Sequence, residues 1–325
     1  MARSTWLWLA RDTFRQARAT RLSRLILAAS GLCILLCLSV RIEGEHDLRP
    51  EGEIELVGAD DLPLVSPEQR PGRLTLGFGA LRIGLFRGGD DAVHFLQVIL
   101  AKWVAGAAGT LLALVWASGF LPEFLQPGAV SVLLAKPVPR RQLLIGKYLG
   151  TIAFVAVQAG VFVLGTWLAL GAGTGCWAPG YLVCLPLLVA HFSVIYSAST
   201  LLAVCTRNAS VCAFGSIVFW CLCFAMNRGR HLAVAASASA SASASALPSF
   251  RGGVEAGYWF LPKPADFVIL LDQAMRADAH FRTLPEIDMV REVGAFHPGW
   301  SMLASAAFAV ALLVIAAREF DSLDY

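Results

Sequence analysis

Apolar positions fall into six runs along this chain, at 22–40, 95–120, 148–173, 181–205, 208–226 and 298–317. A helix rises about 1.5 Å per residue, so about twenty apolar residues cross a hydrocarbon core about 30 Å thick. Each run is close to that length and is predicted to be a membrane-spanning helix. Lys102 interrupts the second run and is read as marking its outer end. Ahead of the first run, residues 1–21 place Trp6, Leu9, Thr13, Phe14 and Ala17 on one helical stripe, with Arg11, Arg15 and Arg18 opposite. That pattern predicts an amphipathic helix lying in the membrane interface. Its basic part is too long for the start of a signal peptide, and no small-x-small cleavage site follows Val40, so an uncleaved first span is expected. The fold class is an all-α polytopic membrane protein of six transmembrane helices, with an N-terminal interfacial helix and two extracytoplasmic loops.

One stretch breaks the rhythm. Residues 121–147, between the second and third spans, carry Glu123, Lys136, Arg140, Arg141 and Lys147, and prolines at 122, 127, 137 and 139. The apolar piece between Pro127 and Pro137 is about nine residues, roughly 14 Å as helix and under half a hydrocarbon core. It cannot span. It is predicted to form a short helix at the membrane surface, stopped by Pro137 after Lys136.

Composition agrees with the pattern. Hydrophobic residues make up 57% of the chain and charged residues 15%, and mean hydropathy is +0.65. A soluble domain carries about a quarter charged residues. The net charge of +3 gives no basic surface that would argue for nucleic acid. Where the charges lie is more informative. Residues 1–24 hold six basic residues against Asp12 alone, and Arg207 stands in the short turn between the fourth and fifth spans. Basic residues in short segments mark the cytoplasmic side. Both termini, residues 121–147 and the tail 318–325 are therefore expected in the cytoplasm, in a cytoplasmic or inner membrane.

The outer loops are then 41–94 and 227–297. The first has six basic residues against eleven acids over 41–95. Its β-like runs Ile54–Val57 and Leu74–Phe78 suggest a hairpin, and Leu81–Phe86 is expected to lie against the membrane. The second opens with an Ala/Ser alternation over 235–246, expected to be a disordered linker. Tyr258–Met275 is too apolar for a free loop and is expected to dock on the membrane face or the helix bundle. Asp266 and Asp272 argue against a seventh span there.

Several chemistries are absent. A nucleotide loop needs G-x-x-x-x-G-K-[ST], but Gly146-Lys147 has Arg141 in place of the first glycine and is followed by Tyr148. The six histidines show no HxxxH or HExxH spacing for zinc. The eight cysteines lie in or beside apolar runs without a CxxC pair and read as small hydrophobes. Within the spans, His191 and Lys102 are the ionisable residues of note. His191 is a possible intramembrane polar site, with a helix-packing hydrogen bond as the simpler role. So little intramembrane charge disfavours an ion-driven secondary transporter.

From about Trp116 to Phe224 the chain resembles the permease subunit of ABC-2 type transporters. Gly119, Glu123, Gly128, Leu133-Leu134, Lys136-Pro137-Val138, Arg140 and Gly146-Lys147 follow in the family's order. Trp167–Gly171 and Ser197–Arg207 extend the likeness. Ala129 stands where threonine is usual and Pro139 where serine is usual, but every charged position is kept. The resemblance implies a transmembrane permease, an exporter, that is no enzyme itself and holds no cofactor. ATP and Mg would sit on a separate ATP-binding cassette subunit. It also implies a dimer with a second copy or a sister permease, in contact with membrane lipid. The coupling residues would be Glu123, Gly128, Val130, Leu133, Leu134, Lys136, Pro137, Arg140, Arg141 and Lys147. Val130, Leu133 and Leu134 share one helical face that would fill a groove on the partner. A membrane assembly factor using the same fold is the alternative.

Overall fold

The computed structural model describes residues 13–16, 18, 20–43, 73–84, 89–126, 139–239, 248–280 and 285–322. Among the described residues, six helices are long and apolar enough to cross a membrane: Arg21–Leu38, Gly89–Phe124, Arg140–Thr174, Pro179–Thr206, Ala209–Ala235 and Pro298–Ser322. We label Arg21–Leu38 α1 and the run Gly89–Phe124 α2. Then come α3, Arg140–Thr174, and α4, Cys184–Thr206, which a 3-10 turn at Pro179–Val183 leads in. Helix α5 spans Ala209–Ser239. Three short helices follow, α6 (Pro248–Phe260), α7 (Pro264–Ala274) and α8 (Pro285–Glu292), before α9 (Pro298–Ser322). Helix α4 is central: α3, α5 and α9 all pack on it, and α1 lies along α3. Outward faces keep large aliphatic side chains exposed, among them Leu32, Val157, Phe214 and Val310. On a soluble protein so much apolar surface would drive aggregation; in lipid it is the solvated surface.

Small residues set the spacing. A Cβ on Gly165 would fall 2.3 Å from Ile34 Cδ1, so the missing side chain lets α1 approach α3 closely. The tight turn between α4 and α5 is built by Arg207, in the left-handed region at φ 52°. The next residue, Asn208, caps α5 by accepting from Ser210 N at 2.9 Å.

Two apolar clusters fill the bundle. One, at the end where residues 13–16 dock and α9 finishes, joins Leu114, Trp116, Phe120, Leu144, Tyr148, Tyr196 and Phe320. Its rings stack: Tyr148 and Tyr196 lie 5.5 Å apart at 7°. The other, at the opposite end, joins Val40, Val93, Ala101, Leu170, Tyr181, Phe267 and Leu271. Beyond that second end sits an antiparallel sheet of β1 (Arg41–Glu43), β2 (Arg73–Leu76) and β3 (Leu81–Gly84). β2 is central, with Ile42 opposite Leu74 and Leu74 opposite Ile83. We call this the sheet end and the other the termini end.

Several boundaries differ from the sequence reading. Helix α2 begins at Gly89 rather than 95, and Lys102 lies within it, in a π-helical stretch over Leu100–Gly109. The helix thus continues on both sides of Lys102. Residues 140–147, assigned to the surface segment, already belong to α3. Residues 81–84, expected to lie on the membrane, pair with β2. The helix that begins at 209 runs past 226 to Ser239, so the Ala/Ser tract is helical over 235–239, as the high helix propensity of alanine favours. Residues 240–246 and the run Ile54–Val57 lie outside the described residues. All eight cysteines are free.

Candidate functional site

The termini end gathers the described part of the candidate coupling residues. Glu123 is exposed on a last helical turn, Phe120–Phe124, whose Phe120, Leu121 and Phe124 are buried. Arg141 is exposed and pairs through Nε with Asp321 Oδ2 near the end of α9. Arg140 Nη1 donates to the Asp321 carbonyl at 3.4 Å. These two arginines thus tie the start of α3 to the end of α9. Gly128, Val130, Leu133, Leu134, Lys136 and Pro137 lie outside the described residues.

Lys147 is not where the sequence reading put it. Its side chain is wholly buried, donates from Nζ to Gln16 Oε1 and stands 5.8 Å from the Phe124 ring. A residue enclosed in this way cannot meet another chain, so Lys147 leaves the partner-facing set. It anchors the N-terminal segment instead. Thr13 is buried against Gly150, where a Cβ would come 2.8 Å from Thr13 Oγ1. Phe14 meets Phe154 edge-on at 5.3 Å. Trp116 Nε1 donates to Thr20 Oγ1 at 2.9 Å, and Thr20 also caps α1. Residues 13–16 and Thr20 are therefore docked across α2 and α3, where Thr13 and Phe14 face protein. Sequence periodicity finds such an apolar stripe but cannot tell a lipid neighbour from a helix.

The sheet end holds two buried polar clusters that the sequence reading did not assemble. Asp266, on the first turn of α7, is wholly buried. Its Oδ1 accepts from Asn227 Nδ2 at 2.9 Å and meets His231 Nε2 at 2.8 Å. Its Oδ2 accepts from Tyr258 OH at 2.9 Å and Ser301 Oγ at 2.6 Å. Its backbone N–H donates to Asn227 Oδ1 at 2.8 Å. One carboxylate thereby joins α5, α6, α7 and α9. Burial alone would push its pKa up, but the hydrogen bonds, led by His231, outweigh that and hold it below the usual carboxylate value. Beside it, Arg230 lies 3.9 Å from the Tyr258 ring and pairs with Glu255 at 3.1 Å.

In the second cluster Asp272, buried at the other end of α7, pairs with Lys102 of the π-helical stretch. Burial raises its pKa, and the Lys102 ammonium only partly offsets this. Both aspartates that argued against a spanning segment are thus met by partners inside the bundle. The signal was present in the sequence as the apolar Tyr258–Met275, but not the pairing.

His191 lies inside α4. Its Nε2 faces Trp220 Nε1 at 3.3 Å, and its ring stacks on Phe267 at 4.5 Å and 15°. That contact ties α4 to α5 and α7. Among the described residues no group of three or more His, Cys, Asp or Glu is arranged to hold a metal ion.

Six long apolar helices with lipophilic outer faces define a multi-pass membrane protein. Residues 96–324 match the family described as ABC-2 family transporter protein. The match covers more than half of the chain, which therefore belongs to that family as the permease component of an ABC transporter. Membership implies association with an ATP-binding cassette subunit. No match is found among curated proteins.

Proposed function

We propose that this permease works as an exporter and receives its energy at the termini end from a separate ATP-binding subunit. The single observation that carries the reading is the linkage there. The connection between α2 and α3 starts from Glu123, on a turn packed into the core, and re-enters at Arg140 and Arg141, which are tied to α9. A push on the intervening residues 127–138 would thus be felt by α2, α3 and α9 together. A rigid attachment is what mechanical transmission needs. The short apolar piece with Val130, Leu133 and Leu134 would occupy a groove on the partner, with Lys136, Arg140 and Arg141 at its rim. Rim charges give orientation more than affinity.

In this reading the termini end is cytoplasmic and the sheet end faces outward from the cytoplasmic or inner membrane. ATP and Mg bind to the partner, and this chain performs no catalysis. A second copy or a sister permease completes a dimer across exposed apolar helix faces, with lipid covering the remainder. The test is purification of the tagged chain from its native membrane, followed by peptide identification. A stoichiometric subunit carrying a nucleotide-binding loop is expected. Its reproducible absence under mild detergent would refute the coupling reading and favour an assembly factor.

A further inference from the structure

A groove of about 700 Å³ runs along the bundle between α3, α4 and α9 and is closed at the sheet end by α7 and the residues before it. That volume is in the range of ligand sites. From Ser301 to Leu313 its α9 wall extends about 18 Å, slightly more than half a hydrocarbon core. Most of the wall is aliphatic: Leu149, Ile152, Leu187, Ala306, Val310 and Leu313. At the sheet end the lining turns polar, with Lys263, Ser301 and Ser305.

Lys263 is the unusual member. It is only 4% exposed, and its Nζ has no hydrogen-bond partner. It rests 4.8 Å from the Tyr258 ring and 5.7 Å from that of Trp259. Those faces attract the charge but accept none of its three N–H donors in the ordinary way. The neighbouring carboxylate cannot serve it, because both oxygens of Asp266 are taken by Asn227, His231, Tyr258 and Ser301. A buried ammonium without an acceptor is costly. Burial accordingly pulls the Lys263 pKa down, against the upward influence of Asp266. An acceptor for this ammonium is absent among the described residues, although Lys263 lines the groove.

We infer that this groove binds a membrane lipid with an anionic headgroup, its acyl chain along α3, α4 and α9 and its headgroup phosphate at Lys263 Nζ. The charge complement sits at one end and the aliphatic wall extends about one leaflet from it, which is the layout of a phospholipid and not of a small anion. The inference rests on the membrane placement the family establishes and not on ATP coupling. Its failure would leave the coupling reading intact, and failed co-purification of an ATPase would leave the lipid site intact.

The test uses the full chain purified from mixed phosphatidylglycerol and phosphatidylcholine vesicles, with retained lipid counted by native mass spectrometry. Retention of phosphatidylglycerol over phosphatidylcholine should be about tenfold or more, from the worth of a charge-assisted contact. Lys263→Gln should bring the two to parity, and Lys263→Arg should keep the preference. An undiminished preference in Lys263→Gln would overturn the inference. An arm without mutation guards against misfolding. Phosphatidylglycerol with a photoreactive acyl chain should label the wild-type chain within 185–194 and 301–313. Labelling elsewhere only, as expected if a second copy of the chain fills the groove, would also overturn it.

Discussion

Asp266→Asn changes one atom of a buried side chain and tests whether that carboxylate holds the sheet end together. The asparagine can keep an oxygen toward Asn227 and His231. Its amide then faces Tyr258 OH and Ser301 Oγ, which donate to Asp266 at 2.9 and 2.6 Å; an amide nitrogen accepts from neither, so both hydroxyls must turn to accept from it and their bonds to a charged oxygen are lost. Hydrogen bonds to a charged group are worth about 1.5–3 kcal/mol each. Relief of the carboxylate's desolvation offsets part of the loss. A net destabilisation of about 2–4 kcal/mol follows. At about 2–4 °C per kcal/mol for a chain of this order, the apparent Tm should fall by about 4–16 °C. The assay is loss of the monodisperse peak in detergent after heating.

The pH dependence sharpens the test. Groups facing Asp266 are His231 and Arg230 on α5, Tyr258 on α6, Lys263 before α7, and the uncharged Ser301 on α9. Because the folded carboxyl titrates below its ordinary value, its contribution is present above the unfolded-chain pKa, about 3.9. It is lost as pH falls through the lower folded value. The Tm gap between wild type and Asp266→Asn should close as pH falls through that lowered folded value. A gap below 1 °C at pH 7, or one that persists undiminished in strong acid, would refute the reasoning.

Other consequences are as direct. Lys102→Met leaves the buried Asp272 without its ion pair and should cost about 3–5 kcal/mol, seen as a lower Tm. Adding Asp272→Leu should recover most of it, whereas additive losses would deny the pairing. Gly150→Val places carbon where Thr13 now packs, so residues 13–18 should become open to trypsin at Arg15 and Arg18 while the bundle stays monodisperse; unchanged cleavage would count against the docked segment. In a background without its own exposed cysteines, Ser66→Cys should react with an impermeant reagent applied outside and Ser131→Cys should not. The reverse pattern would invert the proposed orientation.

The apolar runs made the six helices legible, because a span is specified by hydropathy and length within a single stretch of chain. The candidate surface segment was inferred in the same local way, from prolines and charges too closely spaced for a span, and its middle, 127–138, lies outside the described residues. Pairings distant in sequence were not. Nothing local links Lys102 to Asp272 across 170 positions, or Asn227 and Ser301 to Asp266. Without those partners, Asp266 and Asp272 could only be read as reasons to keep 258–275 away from lipid. Lys147 shows the same limit in reverse. Its place in a basic stretch suggested exposure, and only the fold of residues 13–16 over α3 reveals that it is enclosed. The helix ends moved for a simpler reason: helical structure continues past the hydrocarbon wherever capping and packing sustain it, as at 89–94, 140–147 and 227–239.

The central claim is that residues 127–138 receive the motion of an ATP-binding subunit. Its most direct measurement is quantitative capture of that subunit by wild type and by Leu133→Asp/Leu134→Asp, in membranes where both insert equally. The account predicts that the two aspartates abolish capture, since they charge the apolar face proposed to fill the partner's groove, while the Tm of the permease stays within about 2 °C of wild type, as expected for surface substitutions. Equal capture by both proteins would contradict it.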